Sequence, residues 1–169
     1  YAFGWNDNLE ELDIGSAVKS IGNNAIASDK IETLVFPIGV QTIGYGIWIS
    51  YNGTISVPRS VTRIGTYYED ITINEHTEQF VNYSGAFSGC KEINVESGNN
   101  RYFSVDGVLY EKCENGKYNL ICYPRGKTDK SYSVIDGTQE IVMGAFTNAY
   151  ISQVIMPTSL KRIGMEAFF

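Results

Sequence analysis

Apolar and polar residues alternate along this chain in a pattern that returns every 21 or 22 residues. Each copy has two apolar residues separated by one position, then Pro, then a further apolar residue and an Ile-Gly pair. The pattern is complete in residues 34–44, 55–65 and 154–164, and residues 12–22 carry it with Gly15 in place of Pro. Because different residue types recur in a fixed order at a fixed spacing, we predict a chain of structural repeats.

Each repeat predicts a short succession of elements. The alternation before Pro predicts a brief strand with one face inward, and Pro ends the strand because it has no N–H for the ladder. The Gly of Ile-Gly permits a positive φ at the next corner. A small residue and a large apolar residue follow, where we expect a helical turn. These pairs are Ala25-Ile26, Gly46-Ile47, Ala86-Phe87, Ala145-Phe146 and Ala167-Phe168.

One such repeat cannot bury its own apolar face, whereas stacked repeats with parallel strands can. The predicted fold is therefore mainly β, a solenoid of about seven irregular repeats with short helical or 3-10 turns, formed as one unit by residues 1–169. A β-sandwich would explain the alternation but not the constant order of Pro, Ile-Gly and Ala-Phe. The predicted inner column contains Leu12, Leu34, Ile55, Ile71, Ile93 and Val154.

Two stretches depart from the pattern. Residues 69–84 lack both Pro and Ile-Gly, and residues 91–141 form an enlarged repeat with an inserted hairpin at about 105–123. Asn115-Gly116 predicts a two-residue type I′ turn, which would place Cys113 opposite Tyr118 and Leu109 opposite Cys122. The two sulfurs would then be too far apart for a disulfide. We therefore expect three free, mostly buried thiols, and a hairpin that projects to bind, caps the stack or braces a neighbouring repeat.

Composition narrows the possible chemistry. The chain has 19 acidic and 13 basic residues and a net charge of −6, which disfavours a nucleic-acid partner. His76 is its one histidine, and we interpret it as a solvated loop residue and not as a metal ligand or general base. Asp7, Glu10, Glu11 and Asp13 match no calcium loop. No apolar stretch has the length of a membrane span. We therefore predict no catalytic residue, metal site, cofactor or membrane insertion.

The repeats place outward residues in columns that differ in charge. The edge at the first strand is acidic to neutral, and the edge near Ile-Gly is neutral to basic. A long polar face of one charge suits protein or glycan contact, although solubility alone would also explain it. Aromatic residues at the corners could stack on sugars or anchor a protein. The candidate contact residues are Glu11, Asp13, Tyr45, Tyr51, Tyr68, Asp70 and Glu92.

The repeat resembles the BspA-like leucine-rich repeat family of bacterial surface proteins. Gly85-Ala86-Phe87-Ser88-Gly89-Cys90 matches the small-Phe-x-Gly-Cys corner of that family, and residues 104–110 followed by 120–124 resemble its inserted hairpin. Gly46-Ile47 and Tyr67-Tyr68 depart from its Ala-Phe pair. The resemblance implies a leucine-rich-repeat solenoid in a secreted or surface-anchored protein of the adhesin or protein-binding kind, and it implies no catalytic residues.

The leading hypothesis is a non-enzymatic adhesion module that recognises a protein or glycan on another cell or matrix. The alternatives are a structural spacer that displays another domain, and an accessory region of a secreted hydrolase. The chain begins inside one repeat at Ala2-Phe3 and stops inside another at Phe169. Because a stack cut in this way exposes apolar ends, we expect either further repeats in the parent protein or end-to-end self-contact.

Overall fold

The computed structural model describes residues 2–4, 6–65 and 85–169. All regular elements among these residues are strands, joined by turns and bends. In chain order they are β1 (Ser20–Ile21), β2 (Thr33–Val35), β3 (Thr42–Ile43), β4 (Ile47–Trp48), β5 (Thr54–Val57), β6 (Arg63–Ile64), β7 (Phe87–Ser88), β8 (Glu92–Val95), β9 (Tyr102–Val105), β10 (Val108–Lys112), β11 (Tyr118–Cys122), β12 (Ser131–Ser133), β13 (Thr138–Ile141), β14 (Gln153–Ile155) and β15 (Arg162–Ile163).

The predicted parallel stacking of the strands is confirmed. Strands β2, β5 and β8 form one parallel sheet. Leu34 lies opposite Ile55, Ile55 lies opposite Ile93, and all three are completely buried. The neighbouring side chain of Val35 is exposed, because successive residues of a strand point to opposite faces. The alternation in the sequence thus sets which residues form the core.

The Ile-Gly pairs form a second parallel sheet, in the order β1-β3-β6. Ile43 pairs with Ile21 on one side and Ile64 on the other. The expected reason for the glycine was wrong, because Gly44 has no positive φ. A Cβ on Gly44 would instead lie only 2.5 Å from the backbone nitrogen of Asn23. Close approach of the preceding repeat is therefore what requires a residue without a side chain.

The corner after Ile-Gly is extended in several repeats, where we had expected a helical turn. Ile47 and Trp48 pair with Phe87 and Ser88 as the parallel strands β4 and β7, and Phe3 forms a parallel bridge with Ile26. Hydrogen bonds at these corners are made to the adjacent repeat, which offers a backbone partner in register. At the two later corners the chain forms the expected turns, in which Thr147 donates to the carbonyl of Gly144 and Phe169 to that of Glu166, both at 3.1 Å. There Phe146 also donates to the next repeat, to the carbonyl of Ala167 at 2.7 Å.

The strands at the centre of the inner column pair directly. Ile55 lies opposite Ile93, and Thr54 lies opposite Glu92. Ile71 and Asp70 themselves, like the rest of residues 66–84, lie outside the described residues. The spacing between paired strands here is 38 positions (93 minus 55), so the period of about 22 residues does not hold.

The inserted hairpin is part of a three-stranded antiparallel unit, which we call the insert (β9, β10 and β11). Asp106 and Gly107 join β9 to β10 and both have positive φ, of 51° and 73°, as a two-residue type I′ turn requires. The predicted turn at Asn115-Gly116 was wrong in length. Its loop has three residues, because Cys113 donates its N–H to Lys117 and accepts from Gly116.

The register of β10 with β11 shows how the loop is accommodated. Tyr118 lies opposite Lys112 and not opposite Cys113 as predicted, because the loop is one residue longer. A register shift between Leu109 and Tyr110 compensates, so Leu109 lies opposite Cys122 as predicted. Bulges of this kind insert one extra residue in one strand of a pair.

The insert separates two apolar cores and contributes to both. Leu109, Ile121 and Cys122 pack into a core with the repeats before the insert, whereas Tyr110 and Leu120 pack into a core with the repeats after it. Strand β11 also pairs in parallel with β13, and β13 with β15. The insert therefore does not project from the solenoid, and it braces the repeats on both sides.

A buried asparagine fixes the start of the insert. Asn99 donates from Nδ2 to the carbonyls of Pro58 and Val61, at 3.1 and 3.0 Å, and its Oδ1 accepts the N–H of Tyr102 at 2.7 Å. The hydroxyl of Tyr102 accepts the N–H of Ile64 at 2.9 Å. This hydroxyl satisfies a backbone group at the last described Ile-Gly strand before the insert, where a further parallel strand would otherwise be needed.

The prediction of free thiols is confirmed, since Cys90, Cys113 and Cys122 are all unbridged. Cys90 and Cys122 are buried, and Cys113 is half-buried. Burial raises the pKa of Cys122 to about 12 and also raises that of Cys90. Both thiols are therefore protonated and unreactive at neutral pH.

Two serines hold consecutive repeats together through the same pair of hydrogen bonds. The hydroxyl of Ser60 accepts the N–H of Gly39 at 3.1 Å and donates to the carbonyl of Val40 at 2.8 Å. Ser159 does the same with Gly137 and Thr138, at 3.1 and 2.8 Å. Each serine is the second residue after the Pro of its repeat. A serine at this position thus bonds to the turn of the repeat before it.

We expect Ser60→Ala and Ser159→Ala each to lower the free energy of unfolding by about 1 to 2 kcal/mol, because each removes one donor and one acceptor for half-buried backbone groups. The measurement is denaturant unfolding followed by circular dichroism. Ser97→Ala, at an exposed serine, is the control and should leave the transition midpoint unchanged. Equal midpoints for all three variants would contradict the role of these hydroxyls.

The last repeat exposes apolar side chains that earlier repeats bury. Ile163 is 52% exposed, whereas the equivalent Ile141, one repeat earlier, is completely buried. Strands β14 and β15 are the end strands of their sheets, so their outer backbone groups lack a strand partner among the described residues. Further exposed apolar residues of this repeat are Ile155, Met156, Met165, Phe168 and Phe169.

Because unpaired edges and apolar faces favour association, we expect the 169-residue chain to self-associate with rising concentration. Ile155→Lys combined with Ile163→Lys should shift it to monomer in sedimentation velocity. Ile38→Lys places the same charge at an exposed isoleucine away from the last repeat and should have no effect. A wild-type chain that remains monomeric at all concentrations would refute this expectation.

Candidate functional site

Three aromatic side chains surround one arginine at the surface of the stack. The guanidinium carbon of Arg125 lies 5.5 Å from the ring centroid of Trp48, 4.9 Å from that of Tyr51 and 5.9 Å from that of Tyr150. Trp48 and Tyr51 meet edge to face, with centroids 5.6 Å apart. Tyr150 is 72% exposed and Tyr51 is 37% exposed. We call these four residues the aromatic platform.

The aromatic platform brings together three separate parts of the chain. Trp48 ends β4 and Tyr51 follows it at the same corner, while Tyr150 follows the Ala145-Phe146 corner on the other side of the insert. Arg125 lies in the turn after β11, which Lys127 closes by donating its N–H to the carbonyl of Pro124 at 3.2 Å. The platform therefore spans the repeats before and after the insert.

The turn that carries Arg125 is fixed tightly against the neighbouring corner. Gly126 donates its N–H to the carbonyl of Cys90 at 2.8 Å. A Cβ on Gly126 would lie 1.8 Å from the carbonyl oxygen of Tyr51, so glycine alone fits between the two backbones. Because this backbone has no room to move, the point from which the side chain of Arg125 extends is fixed beside Tyr51.

Charges near the platform act on Tyr51 in opposite directions. Burial raises the pKa of Tyr51 above its ordinary value of 10.0, the positive charge of Arg125 lowers it, and the negative charge of Asp29 raises it. Asp29 also accepts a hydrogen bond from the indole N–H of Trp48. Asp29 therefore orients the indole ring and balances part of the arginine charge.

An acidic groove of about 590 Å³ adjoins the platform through Asp29 and Ser50. Its walls carry four carboxylates and one ammonium group. The residues that line it are Glu10, Glu11, Asp29, Lys30, Glu32, Thr33 and Ser50. Carboxylates and hydroxyls are mainly acceptors, so the groove suits ligand groups that donate hydrogen bonds or carry positive charge.

The structure separates the predicted contact residues into several groups. Tyr51 belongs to the platform and Glu11 to the acidic groove. Asp13 lines a second, shallower depression beside Val35, of about 330 Å³. Glu92 is exposed on the strand ladder opposite Thr54.

Other predicted residues lie away from these features or outside the described chain. Tyr45 is half-buried, and its N–H donates to Asn23 Oδ1 at 3.1 Å. Tyr68, Asp70 and His76 lie outside the described residues. The basic character expected at the Ile-Gly edge is interrupted, because Glu140 of β13 lies beside Arg162 of β15 and pairs with it.

Arg125, Tyr150 and Asp29 were not among the residues predicted from the sequence. Tyr150 follows Phe146 by four residues, as Tyr51 follows Ile47, so extension of the corner column would have found it. Trp48 is half-buried, and its ring packs against that of Tyr51. Arg125 lies in the enlarged repeat, where no period relates it to the other three.

The described residues also bear on metal binding and on membrane insertion. No group of three or more His, Cys, Asp or Glu side chains among them is arranged to hold a metal ion. Within the same ranges no helix has the length and hydropathy needed to cross a bilayer.

The charges around Tyr51 predict opposite effects of two substitutions on its pKa. Arg125→Gln removes a positive charge that stabilises the phenolate, so the pKa of Tyr51 should rise further. Asp29→Asn removes a negative charge that destabilises it, so the pKa should fall. Alkaline titration of phenolate absorbance, with Tyr51→Phe to isolate the signal of this residue, provides the measurement. Arg59→Gln is the control. A lower pKa of Tyr51 in Arg125→Gln, or a higher one in Asp29→Asn, would refute the geometry.

Comparisons with known proteins agree with this architecture. The family model of the BspA type leucine rich repeat region matches six copies, in residues 1–94 and 128–169. Residues 95–127, which lie between the two matched ranges, contain the insert and Arg125. A search of the curated proteins finds no match.

Three solved structures are similar over nearly the whole chain. A leucine-rich repeat protein from Eubacterium ventriosum has 19% identity and a TM-score of 0.64, over 96% of this chain and 45% of its own. A leucine rich cell surface protein from Faecalibacterium prausnitzii has 25% identity and a TM-score of 0.54, over 96% and 50%. The pneumococcal vaccine antigen PcpA has 26% identity and a TM-score of 0.59, over 92% and 41%.

The chain thus spans about half the length of these proteins or less. The first comparison shows the fold alone, because its identity is low. The family match covers well over half of the sequence and coincides with the repeats of the structure. The chain belongs to the BspA-type leucine-rich repeat family.

Proposed function

We propose that this chain is a non-catalytic binding module of a bacterial cell-surface protein, and that its partner, a protein or a glycan, docks on the aromatic platform and the adjoining acidic groove. The observation that carries the proposal is the exposure of Tyr51 and Tyr150 on either side of Arg125. Tyrosine, tryptophan and arginine are the residues that most often dominate binding energy at interfaces.

The scaffold favours this use of the surface. The repeats hold each corner by parallel pairing to its neighbours, and the turn of Arg125 has no room to move beside Tyr51. Binding residues are commonly placed on loops that a rigid framework positions. The backbone of the binding surface would therefore be preorganised, and little conformational entropy would be lost on binding.

The cellular location rests on the related structures. One of them is described as a cell surface protein and another as a vaccine antigen of pneumococcus. A surface location is consistent with a binding role toward molecules outside the cell. The candidate contact residues Glu11 and Tyr51 both belong to the proposed docking face, whereas Asp13, Tyr45 and Glu92 lie outside the groove and the platform.

The test is binding of the whole chain to immobilised extracellular-matrix proteins and to a glycan array. Tyr51→Ala combined with Tyr150→Ala should weaken any partner binding by about tenfold or more, because exposed aromatic anchors contribute most of the energy. Tyr45→Ala makes the same change at a half-buried tyrosine outside the platform and is the matched control. Circular dichroism verifies that both variants fold.

Two outcomes would overturn the proposal. The first is the absence of binding above background on both panels, which would leave the role of a structural spacer. The second is a partner whose affinity is unchanged in the double variant but reduced by Tyr45→Ala.

A further inference from the structure

Arg125 differs from other arginines of the structure in having only ring contacts. Arg101 bonds to Glu111 at 2.7 Å, and Arg162 pairs with Glu140. Among the described residues no carboxylate or carbonyl accepts a hydrogen bond from Arg125, and its Nε is buried without a partner. An arginine has five N–H donors in a planar fork that matches a carboxylate. The four N–H groups on its two terminal nitrogens therefore remain available to an acceptor from outside the chain.

The rings around this fork define what can approach it. Tyr150 and Tyr51 leave part of their rings exposed, while Trp48 is half-buried against Tyr51. An exposed aromatic face accepts a flat apolar surface, such as the C–H face of a sugar ring. A ligand that fits all these groups has a ring to lie on tyrosine and a carboxylate to reach the guanidinium.

We propose that Arg125 receives the carboxylate of an acidic sugar whose ring stacks on Tyr150 and Tyr51. This inference rests on the proposed binding function and names the ligand class of the same site. The fork of Arg125 would form charge-assisted hydrogen bonds to both carboxylate oxygens. The surrounding rings lower the local exposure to water, and this strengthens such bonds.

The acidic groove limits how much negative charge the ligand carries. Asp29 lies beside the platform, and Glu10, Glu11 and Glu32 line the groove that continues from it. A chain with an acidic group on every sugar would be repelled along this groove. The ligand is therefore a largely neutral oligosaccharide with one carboxylated sugar, whose remaining hydroxyls donate to the groove carboxylates.

The same lining favours a glycan over an acidic peptide. A peptide backbone presents as many carbonyl acceptors as N–H donors. The side chains that line the groove offer those carbonyls few donors beyond Lys30, Thr33 and Ser50. Sugar hydroxyls, in contrast, both donate and accept. An acidic peptide remains as an arm of the test.

The test compares sugars that differ only in charge. The probes are sialyllactose against the methyl ester of its carboxylate, and cellobiouronic acid against cellobiose, with a pentapeptide that contains one glutamate as the peptide arm. Binding to the whole chain is measured by saturation-transfer NMR and calorimetry. We expect at least one acidic sugar to bind about tenfold more tightly than its neutral counterpart, as a charge-assisted bidentate contact implies.

Variants then assign that difference to Arg125. Arg125→Gln should abolish the preference for the acidic sugar, and Arg125→Lys should retain only part of it, because an ammonium group lacks the planar fork. Tyr150→Ala should weaken the acidic and neutral sugars alike. Arg59→Gln, an exposed arginine outside the platform, is the matched control and should change neither.

Three results would overturn the inference. They are equal affinity for acidic and neutral sugars, tighter binding of the glutamate peptide than of either acidic sugar, and a preference that survives in Arg125→Gln. If these occur while Tyr51→Ala combined with Tyr150→Ala still impairs partner binding, the proposed function stands and only the ligand class is wrong. If the acidic sugars show no preference and the double variant leaves partner binding unchanged, both the ligand class and the proposed function are rejected.

Discussion

Register between repeats is the constraint on which the rest of this structure depends. A single repeat presents one row of apolar side chains, and only the next repeat can cover them. Leu34, Ile55 and Ile93 lie directly opposite one another, so a slip of one residue would turn each of them to solvent. Glycine after the isoleucine lets neighbouring backbones come close, as Gly44 does against Asn23 and Gly164 against Met143. The serine hydroxyls at Ser60 and Ser159 then fix the turns in the same alignment.

The insert shows that the same constraint tolerates a change of strand direction. An antiparallel unit enters a parallel stack because its last strand, β11, runs parallel to β13 and presents Leu120 opposite Ile141. The other end is joined by Asn99 and by the hydroxyl of Tyr102, which satisfy backbone groups of Pro58, Val61 and Ile64. The stack thus continues through the insert without an exposed seam in the core, since Tyr110 and Leu109 are both completely buried.

Sequence periodicity predicted the parts of the fold that repeat and failed where they do not. The burial of Leu34 and Ile55 followed from a spacing of 21 residues, because each position is equivalent to the next. The period fails between β5 and β8, which pair directly although Ile55 and Ile93 are 38 positions apart (93 minus 55). Asn115-Gly116 was chosen for the two-residue turn, yet Asp106-Gly107 forms it, because a dipeptide preference cannot by itself set the length of a loop.

The residues of the candidate site that lie in the repeats could be predicted from the sequence, and the one in the enlarged repeat could not. Tyr51 was selected as a corner aromatic, and Tyr150 occupies the equivalent corner position. Arg125 could not be selected, because its contacts come from residues about 75 positions earlier and 25 later in the chain. Only the folded backbone, with Gly126 against Tyr51, shows that these segments meet.

The position of the platform has a consequence for cooperativity. Repeat arrays lose structure by fraying from their ends, unit by unit. In this array two apolar cores meet at the insert, and each core with its repeats forms one packing unit. Trp48 and Tyr51 belong to one unit and Tyr150 to the other. A ligand held by all of them would bind only when both units are folded, so by thermodynamic linkage it would couple their melting into one transition.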